Sequence, residues 1–224
     1  MPRPLFLYYS AMIIGIIADI HGNLPALTAT LAEMPKTDSL LLAGDIAGRA
    51  NELVEIISII DERDIIFVQG NHEEAAVNYY SLFGGDHALS SAIKRIKETP
   101  HRRDLVIDGK KVLLAHGSPA NPKNEYIYPE YSDFDSFSGL GFDYIILGHT
   151  HVPMVIRART VTVINPGSVG EPEANDPRPS YCLLDTKTGE ARIRYITTYV
   201  EKKRLKYITP FRWSRYTVGA ARPA

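Results

Sequence analysis

The sequence is poor in cysteine, with the single residue Cys182 in a chain of 224. One cysteine excludes an intrachain disulfide framework and is typical of a reducing compartment, so we expect a cytoplasmic protein in which Cys182 is a small buried hydrophobe. The sequence also lacks a net charge of either sign, because its formal charge is −1. With so little net charge the protein has no strong overall electrostatic field, so nothing in the composition indicates nucleic acid or a membrane surface as a partner.

A long hydrophobic run is missing as well. Residues 1–18 combine an early arginine with an apolar stretch, as a short signal peptide does. That stretch is shorter than the roughly 20 residues of a membrane-spanning helix, and it continues directly into the polar motif "DIHGN". We therefore interpret residues 1–11 as an N-terminal extension and expect the natural chain to start at Met12.

The middle of the chain contains neither repeats nor a low-complexity linker. With 45% hydrophobic and 23% charged residues, it has the composition of a globular protein large enough to bury a core. We predict one domain over residues 12–200. Residues 201–224 carry seven lysines and arginines, and a solvated basic tail or edge segment is a simpler interpretation than a nucleic-acid arm.

Short apolar runs rich in β-branched residues recur along the chain, and each is followed by polar residues. They predict buried strands at residues 13–18, 40–43, 65–69, 111–115, 144–148 and 161–164. Helical spacing of apolar residues predicts helices at 24–33, 52–60, 73–80 and 87–98. Further strands are expected at 154–157, 181–185 and 191–196, with a turn at Gly189. Alternating strands and helices in the first half favour an α/β fold.

The polar clusters that follow these strands contain five of the seven histidines. Because sites in open α/β sheets form at the carboxyl ends of strands, we expect the clusters to converge. The candidate residues are Asp19, His21, Asp45, Asn71, His72, His116, His149 and His151. Imidazole, carboxylate and amide ligands without a thiolate suit a divalent ion such as Mn, Fe, Ni or Zn.

Eight potential ligands are too many for one tetrahedral ion but fit two ions that share a carboxylate. Asp45 ends the apolar run "LLLAGD", where an unpaired carboxylate would be costly, so we assign it as the bridge. Asp19 and His21, like His149 and His151, are two residues apart and would share a face of an extended backbone.

Each motif alone is weak. The stretch "GNHE" is also compatible with a simple helix start, with Asn71 as the N-cap and Glu73 and Glu74 in the first turn. The strength of the prediction lies in the ordered set of motifs.

The series "DIH", "GD", "GNHE", "HG" and "GHTH" resembles the calcineurin-like metallophosphoesterase superfamily over about residues 13–195, and "DIHGNLPAL" resembles its YfcE-like subgroup of small prokaryotic phosphoesterases. The resemblance implies a four-layer αββα sandwich, in which two mixed β-sheets are flanked by helices. It implies that Asp45 bridges two metals and that His72 faces the phosphate without binding a metal. The implied ligands are Asp19, His21 and His151 for the first metal, and Asn71, His116 and His149 for the second.

The implied function is that of a dinuclear metal-dependent phosphoesterase, with manganese favoured. We expect a metal-bridging hydroxide to attack the phosphorus of a small phosphodiester in line, with His72 as general acid. The expected substrates include nucleotide-like and aryl diesters. The sequence leaves open whether the protein forms a homo-oligomer. The alternatives are a phosphomonoesterase or protein phosphatase, and a non-catalytic metal-bound scaffold of the same fold.

Besides Asn71 and His72, which are also expected to contact the substrate, four further residues are candidates for substrate contacts. Protein Ser/Thr phosphatases of the superfamily carry Asp-Arg-Gly after the bridging aspartate, whereas "GDIAGRAN" has Gly48 in place of that aspartate and Arg49 at the arginine offset. Arg49 is a candidate phosphate contact, or a surface arginine. Residues 120–142 form a long aromatic connection in which Tyr126, Tyr128 and Tyr131 either stack on a base or aryl group or pack the loop onto the sheet.

Overall fold

The computed structural model describes residues 12–48, 50–173 and 176–198. The predicted extension, the predicted basic tail and Arg49 lie outside these ranges. In chain order the elements are β1 (Ile13–Ile17), α1 (Leu24–Glu33), β2 (Ser39–Leu42), α2 (Ala50–Glu62), β3 (Ile66–Phe67), α3 (Asn71–Phe83), α4 (His87–Lys97), β4 (Arg102–Ile107), β5 (Lys110–Ala115), a 3₁₀ helix (Phe134–Leu140), β6 (Tyr144–Ile146), β7 (Met154–Ala158), β8 (Val161–Asn165), β9 (Ser180–Asp185) and β10 (Glu190–Tyr195).

The strands form two five-stranded sheets, and both are mixed. The first sheet has the order β10-β9-β1-β2-β3, in which β1, β2 and β3 run parallel and β9 pairs antiparallel with both β1 and β10. The second sheet has the order β4-β5-β6-β8-β7, with a parallel centre of β5, β6 and β8 and an antiparallel strand at each edge. The predicted α/β architecture of two mixed sheets is confirmed.

Successive side chains of the central strands point to opposite faces of each sheet, and this divides the core into layers. Ile14 and Ile16 of β1 meet Val112 and Leu114 of β5 in an apolar cluster between the sheets. The opposite face of the first sheet is covered by the helices, where Phe67 is one of the largest fully buried side chains. Strands buried on both faces explain why their sequences read as continuous apolar runs rather than alternating ones.

The outer face of the second sheet is covered differently. There the layer is the connection between β5 and β6, whose 3₁₀ helix buries Phe134 and Phe137, and Ile127 of the same connection joins them in one apolar cluster. Tyr131 packs on this cluster, with its ring centroid 5.6 Å from that of Phe137. The long aromatic loop is therefore partly a structural layer, and Tyr131 belongs to that layer.

Two local predictions need correction. The strand β4 was not predicted, because it begins with two arginines and is a half-exposed edge strand without a continuous apolar run. Helix α3 begins at Asn71, and its N-cap is Gly70 rather than Asn71. Within the described ranges, the helices do not combine the length and apolarity that crossing a bilayer would require.

Candidate metal centre

The site lies where the parallel strands of both sheets end. The N–H of Gly148, after β6, donates to the carbonyl of His116, after β5, at 2.9 Å. The N–H of His149 lies 3.1 Å from Oδ2 of Asp19, which follows β1 in the other sheet. These contacts bring residues that are far apart in sequence to one seam between the sheets, as the strand-end argument predicts.

Five of the predicted site residues have a left-handed backbone. Their φ angles are 56° at Asp19, 49° at His21, 53° at Asp45, 69° at His149 and 57° at His151. The assumption that residues two apart share a face of an extended backbone is therefore wrong for this site. Aspartate and histidine tolerate this region better than most side chains, but each such residue still costs on the order of 1–3 kcal/mol. The surrounding contacts must hold this geometry in place.

Backbone hydrogen bonds between the loops supply part of that support. The N–H of Asp19 donates to the carbonyl of Gly44 at 3.0 Å, and the N–H of His21 donates to the carbonyl of Asp45 at 2.9 Å. The loops after β1 and β2 are thus joined directly at the residues that carry the functional side chains. The carbonyl of Asp19 also accepts from the hydroxyl of Ser168 at 2.8 Å.

Two glycines allow the loops to approach this closely. A Cβ at Gly70 would lie 2.1 Å from Oδ1 of Asp45, and one at Gly48 would lie 1.8 Å from the carbonyl oxygen of His21. With this backbone, an aspartate cannot occupy position 48. Protein Ser/Thr phosphatases have an aspartate where this sequence has Gly48. The close contact between Gly48 and His21 explains why this chain has a glycine there.

Glu73 is the second support and was not predicted as a site residue. It is fully buried, and its carboxylate accepts from the backbone N–H groups of Asp45, Ile46, Ala47 and Gly70 at 3.0, 2.7, 2.8 and 2.6 Å. Burial and the charge of Asp45 raise the pKa of Glu73 to about 7, against the opposing effect of the N–H donors. One side chain on α3 thereby fixes the backbone that presents Asp45. The spacing G-x-x-E, which resembles a capping box, was the available signal in the sequence.

Asp19, His21 and His151 form one group of potential ligands. The Nε2 atoms of His21 and His151 are 2.9 Å apart, and Nε2 of His151 lies 3.4 Å from Oδ1 of Asp19. The Nδ1 of His151 is turned away and donates to the carbonyl of Glu171 at 2.6 Å.

Asp45, His116 and His149 form a second group. Nε2 of His116 lies 3.0 Å from Nδ1 of His149, 3.1 Å from Oδ1 of Asn71 and 3.2 Å from Oδ2 of Asp45. The same Oδ2 atom of Asp45 is 3.8 Å from Nε2 of His21. Asp45 therefore lies between the two groups.

The chemistry of these contacts fits bound cations. Nδ1 of His116 donates to the carbonyl of Ala43 at 2.8 Å, so in the neutral ring Nε2 carries a lone pair. That lone pair faces the oxygens of Asn71 and Asp45, which are also acceptors. Either a proton or a cation must occupy the shared space, and second-shell hydrogen bonds of this kind orient histidine ligands at metal sites.

The pKa values of the site residues reflect the same need for a positive charge between the acceptors. Burial alone would lower the pKa of His116, but its hydrogen bond to Asp45 and the charge of that carboxylate raise it to about 9. Burial would raise the pKa of Asp45, but the contact with His116 holds it well below its usual range. His21 and His149 stay neutral, because burial lowers their pKa to about 3 and about 4.

Most of the predicted site residues meet here. His72 is half-exposed, with Nε2 4.0 Å from Oδ2 of Asp45, and it also forms a ligand-like group with His21 and Asp45, so its role outside the metal set stays a prediction. The Tyr126 ring stacks on His149, with centroids 3.6 Å apart. A cavity of about 480 Å³ opens above the centre. Tyr128 lines it, as the first of the two roles considered for the tyrosine loop requires, and so do three residues that the sequence did not single out: Thr150, Glu171 and Glu173.

Carboxylates and imidazoles that converge at the seam of two mixed sheets define the class as metal-dependent phosphoesterases. The chain belongs to the calcineurin-like phosphoesterase superfamily, whose domain model matches residues 12–189. It is therefore an enzyme that hydrolyses phosphate esters, and its His/Asp groups can hold metal ions.

The sequence identity to individual proteins is below 30%, but the matches cover most of the chain. An uncharacterised protein of Methanocaldococcus jannaschii is 29% identical over 84% of this chain and 89% of its own. Phosphodiesterase YfcE of Escherichia coli is 25% identical over 75% of this chain and 84% of its own. The crystal structure of a metallophosphoesterase from Sphaerobacter thermophilus matches with a TM-score of 0.71 and 27% identity over 84% of this chain and 89% of that one.

Replacing Glu73 tests its role as a support. In Glu73→Gln the amide nitrogen cannot accept a hydrogen bond, so at least one buried N–H loses its partner. We expect the free energy of unfolding to fall by about 1–3 kcal/mol and the protein to bind metal more weakly. Urea unfolding and metal titration measure the two effects. The control is Glu74→Gln, which changes an exposed pair with Lys123 (2.5 Å) and should have little effect on either. Equal behaviour of the two variants would contradict the role of Glu73.

The pKa of His116 predicts how the stability of the metal-free protein depends on pH. Because its folded pKa of about 9 lies above the ordinary value of 6.5, its stabilising contribution is complete below pH 6.5 and is lost as the pH rises through 9. From pH 7 to pH 9 we expect a loss on the order of 2 kcal/mol in chelator-treated protein. Metal-loaded protein is the control, since coordination requires neutral imidazole, and it should lack this decline. A flat profile without metal would contradict the assignment.

Proposed function

We propose that the protein is a dinuclear metal-dependent phosphodiesterase that acts on small phosphodiesters. The observation that carries the proposal is the position of Asp45 between two groups of potential metal ligands. Asp19, His21 and His151 would hold one ion, Asn71, His116 and His149 would hold the other, and Asp45 would contact both. Nitrogen and oxygen ligands without sulfur suit manganese, which we take as the native metal.

When bound, two divalent ions would activate water at neutral pH and stabilise charge on the phosphoryl oxygens. The chain itself supplies the orientation of these groups. The Nδ1 donors of His116 and His151 fix both rings, and Glu73 fixes the loop of Asp45. The nucleophile and the phosphate are thus positioned by side chains with little freedom to move.

His72 is the proposed catalytic residue. Its backbone N–H donates to Oδ1 of Asp45 at 3.0 Å, its ring meets that of His21 edge-on at 4.6 Å, and its half-exposed side chain lines the cavity. From there the imidazole can donate to a phosphoryl oxygen or protonate the leaving oxygen. Asn71 and His72 open helix α3, and the N-terminus of a helix favours an anion.

The charge of the cavity supports a diester rather than a monoester or a phosphoprotein. Among the lining residues that the structure describes there is no lysine or arginine, whereas Glu171 and Glu173 are both present. A phosphomonoester carries close to two negative charges at neutral pH, and a diester carries one. Tyr126 is the proposed contact for the ester substituent. Arg49 remains a predicted phosphate contact, because it lies outside the described residues.

The proposal is tested with chromogenic aryl substrates. We expect the purified protein to hydrolyse an aryl diester with added manganese, to hydrolyse the matching monoester more slowly, and to lose both activities on chelation. Metal content, measured by atomic emission, should approach two ions per chain. Binding of two ions without turnover of either ester would support the scaffold alternative, and faster monoester hydrolysis would support the phosphomonoesterase.

Replacing His72 separates its role from that of the metal ligands. In His72→Ala we expect two bound ions to be retained and kcat for the diester to fall by about 10²–10⁴-fold, because a general acid contributes on that order. Metal content and steady-state kinetics on the same preparation measure both. The comparison is His116→Ala, in which metal should be lost together with activity. Loss of metal from His72→Ala would mean that His72 is a ligand.

A further inference from the structure

The entrance of the cavity combines two aromatic side chains with two acidic ones. The rings of Tyr126 and Tyr128 are parallel within 9°, with centroids 5.9 Å apart, and the residues are 53% and 42% exposed. Glu171 and Glu173 line the same cavity and are exposed. Neither Tyr128 nor the carboxylates of Glu171 and Glu173 belong to the ligand groups, so the entrance requires its own explanation.

Both pairs are held by rigid supports. Between the two tyrosines, Ile127 is buried in the apolar layer under the second sheet, so the alternation Tyr-Ile-Tyr keeps both rings on the cavity side. The loop is further tied to α3 by Lys123, whose Nζ lies 2.5 Å from Oε2 of Glu74. The aromatic pair is thus positioned before any ligand arrives.

The acidic pair is attached to the metal centre through its backbone. The N–H of Glu171 donates to the hydroxyl of Ser168 at 2.8 Å, and its carbonyl accepts from Nδ1 of His151. The backbone at Glu171 therefore lies beside the group that would hold a cation, and Glu171 and Glu173 line the cavity above it. With metals bound, the cavity would be positive at its base and negative at its entrance.

Such a field suits a zwitterion whose phosphate lies at the base and whose cation lies at the entrance. Aromatic rings beside carboxylates form a recognised environment for alkylammonium groups, since the ring faces attract a cation and its methyl groups bury apolar surface. A nucleobase would use the tyrosines but would leave the two glutamates unexplained. A substituent with a second phosphate would be repelled by them.

We propose that the substrate is a phosphodiester that carries an aliphatic ammonium group, and that Tyr126, Tyr128, Glu171 and Glu173 bind this group. The inference rests on the proposed phosphodiesterase function and specifies the substrate class of the same site. Tyr128 would contribute a ring face, whereas one face of Tyr126 is already covered by His149. Selectivity for charge would come from the two glutamates.

The test compares two nitrophenyl diesters that differ only in charge. One is the nitrophenyl ester of phosphocholine, and the other carries an uncharged tert-butyl group in place of the trimethylammonium group. For the metal-loaded full chain we expect kcat/KM to favour the cationic ester on the order of tenfold. The preference should shrink as salt is added, because screening weakens exposed charges.

Variants identify the source of the preference. The double variant Glu171→Gln, Glu173→Gln should bring the ratio of the two esters close to one, and Tyr128→Leu should reduce it. Glu130→Gln is the matched control, because Glu130 is an exposed glutamate of the same loop that does not line the cavity, and it should keep the wild-type ratio. Metal content and melting temperature establish that each variant is folded and loaded.

A ratio of one in the wild type would overturn the inference, and so would a preference that survives in the double variant. A nitrophenyl nucleoside phosphate that outcompetes the cationic ester would overturn it in favour of a nucleobase. Calorimetric binding of phosphocholine against its tert-butyl isostere gives an answer independent of turnover, and equal affinities would contradict the inference. Absence of turnover for all esters contradicts the proposed function instead, whereas turnover without charge preference contradicts only this inference.

Discussion

Asp45 lies between two groups of buried hydrogen-bond acceptors, and this placement is the constraint on which the rest of the structure depends. Its Oδ2 faces His116 on one side and His21 on the other, in a region that almost no water reaches. Such an arrangement is unfavourable unless positive charge occupies the space between the groups. Three features keep the acceptors together. They are the residues with a left-handed backbone, the absence of a Cβ at Gly48 and Gly70, and the four hydrogen bonds to Glu73. Stability and the capacity for metal-dependent chemistry are therefore properties of the same few contacts.

The division of labour between the sheets explains how these contacts stay rigid. The first sheet presents Asp19 and Asp45, the second presents His116 and His149, and the apolar cluster between the sheets lies directly behind the seam. Side chains on strand ends have less freedom than side chains on long loops, which favours precise positioning. The surface facing the substrate is by contrast supplied by connections, namely the tyrosine loop after β5 and the Glu171 segment after β8. Both connections also touch the centre, since Tyr126 stacks on His149 and the carbonyl of Glu171 accepts from His151.

The sequence predicted every strand except the half-exposed edge strand β4, and it predicted the convergence of the polar strand ends, because buried strands and the residues that follow them leave a local pattern. It did not predict the backbone at His21 and His151, where the extended geometry assumed from the spacing is replaced by a left-handed one. It also did not predict that Glu73 would reach across to the loop of Asp45, since a capping pattern specifies one hydrogen bond and not the other three. Glu171 and Glu173 were missed for a similar reason: the hydrogen bond from His151 to the carbonyl of Glu171, which helps to bring them to the cavity, joins positions 20 residues apart.

The pairing of β1 with β9 has a consequence for biosynthesis. Strand β1 begins at Ile13, and its partner ends at Asp185, so the first sheet cannot close until nearly all of the described chain has left the ribosome. Until then one edge of the strand that leads to Asp19 and His21 has no partner. His151, which belongs to the same ligand group as His21, lies 130 residues later in the chain, so this group assembles only after most of the described chain has been made. Any ion that the group binds is accordingly selected by a folded protein and not by a short nascent peptide.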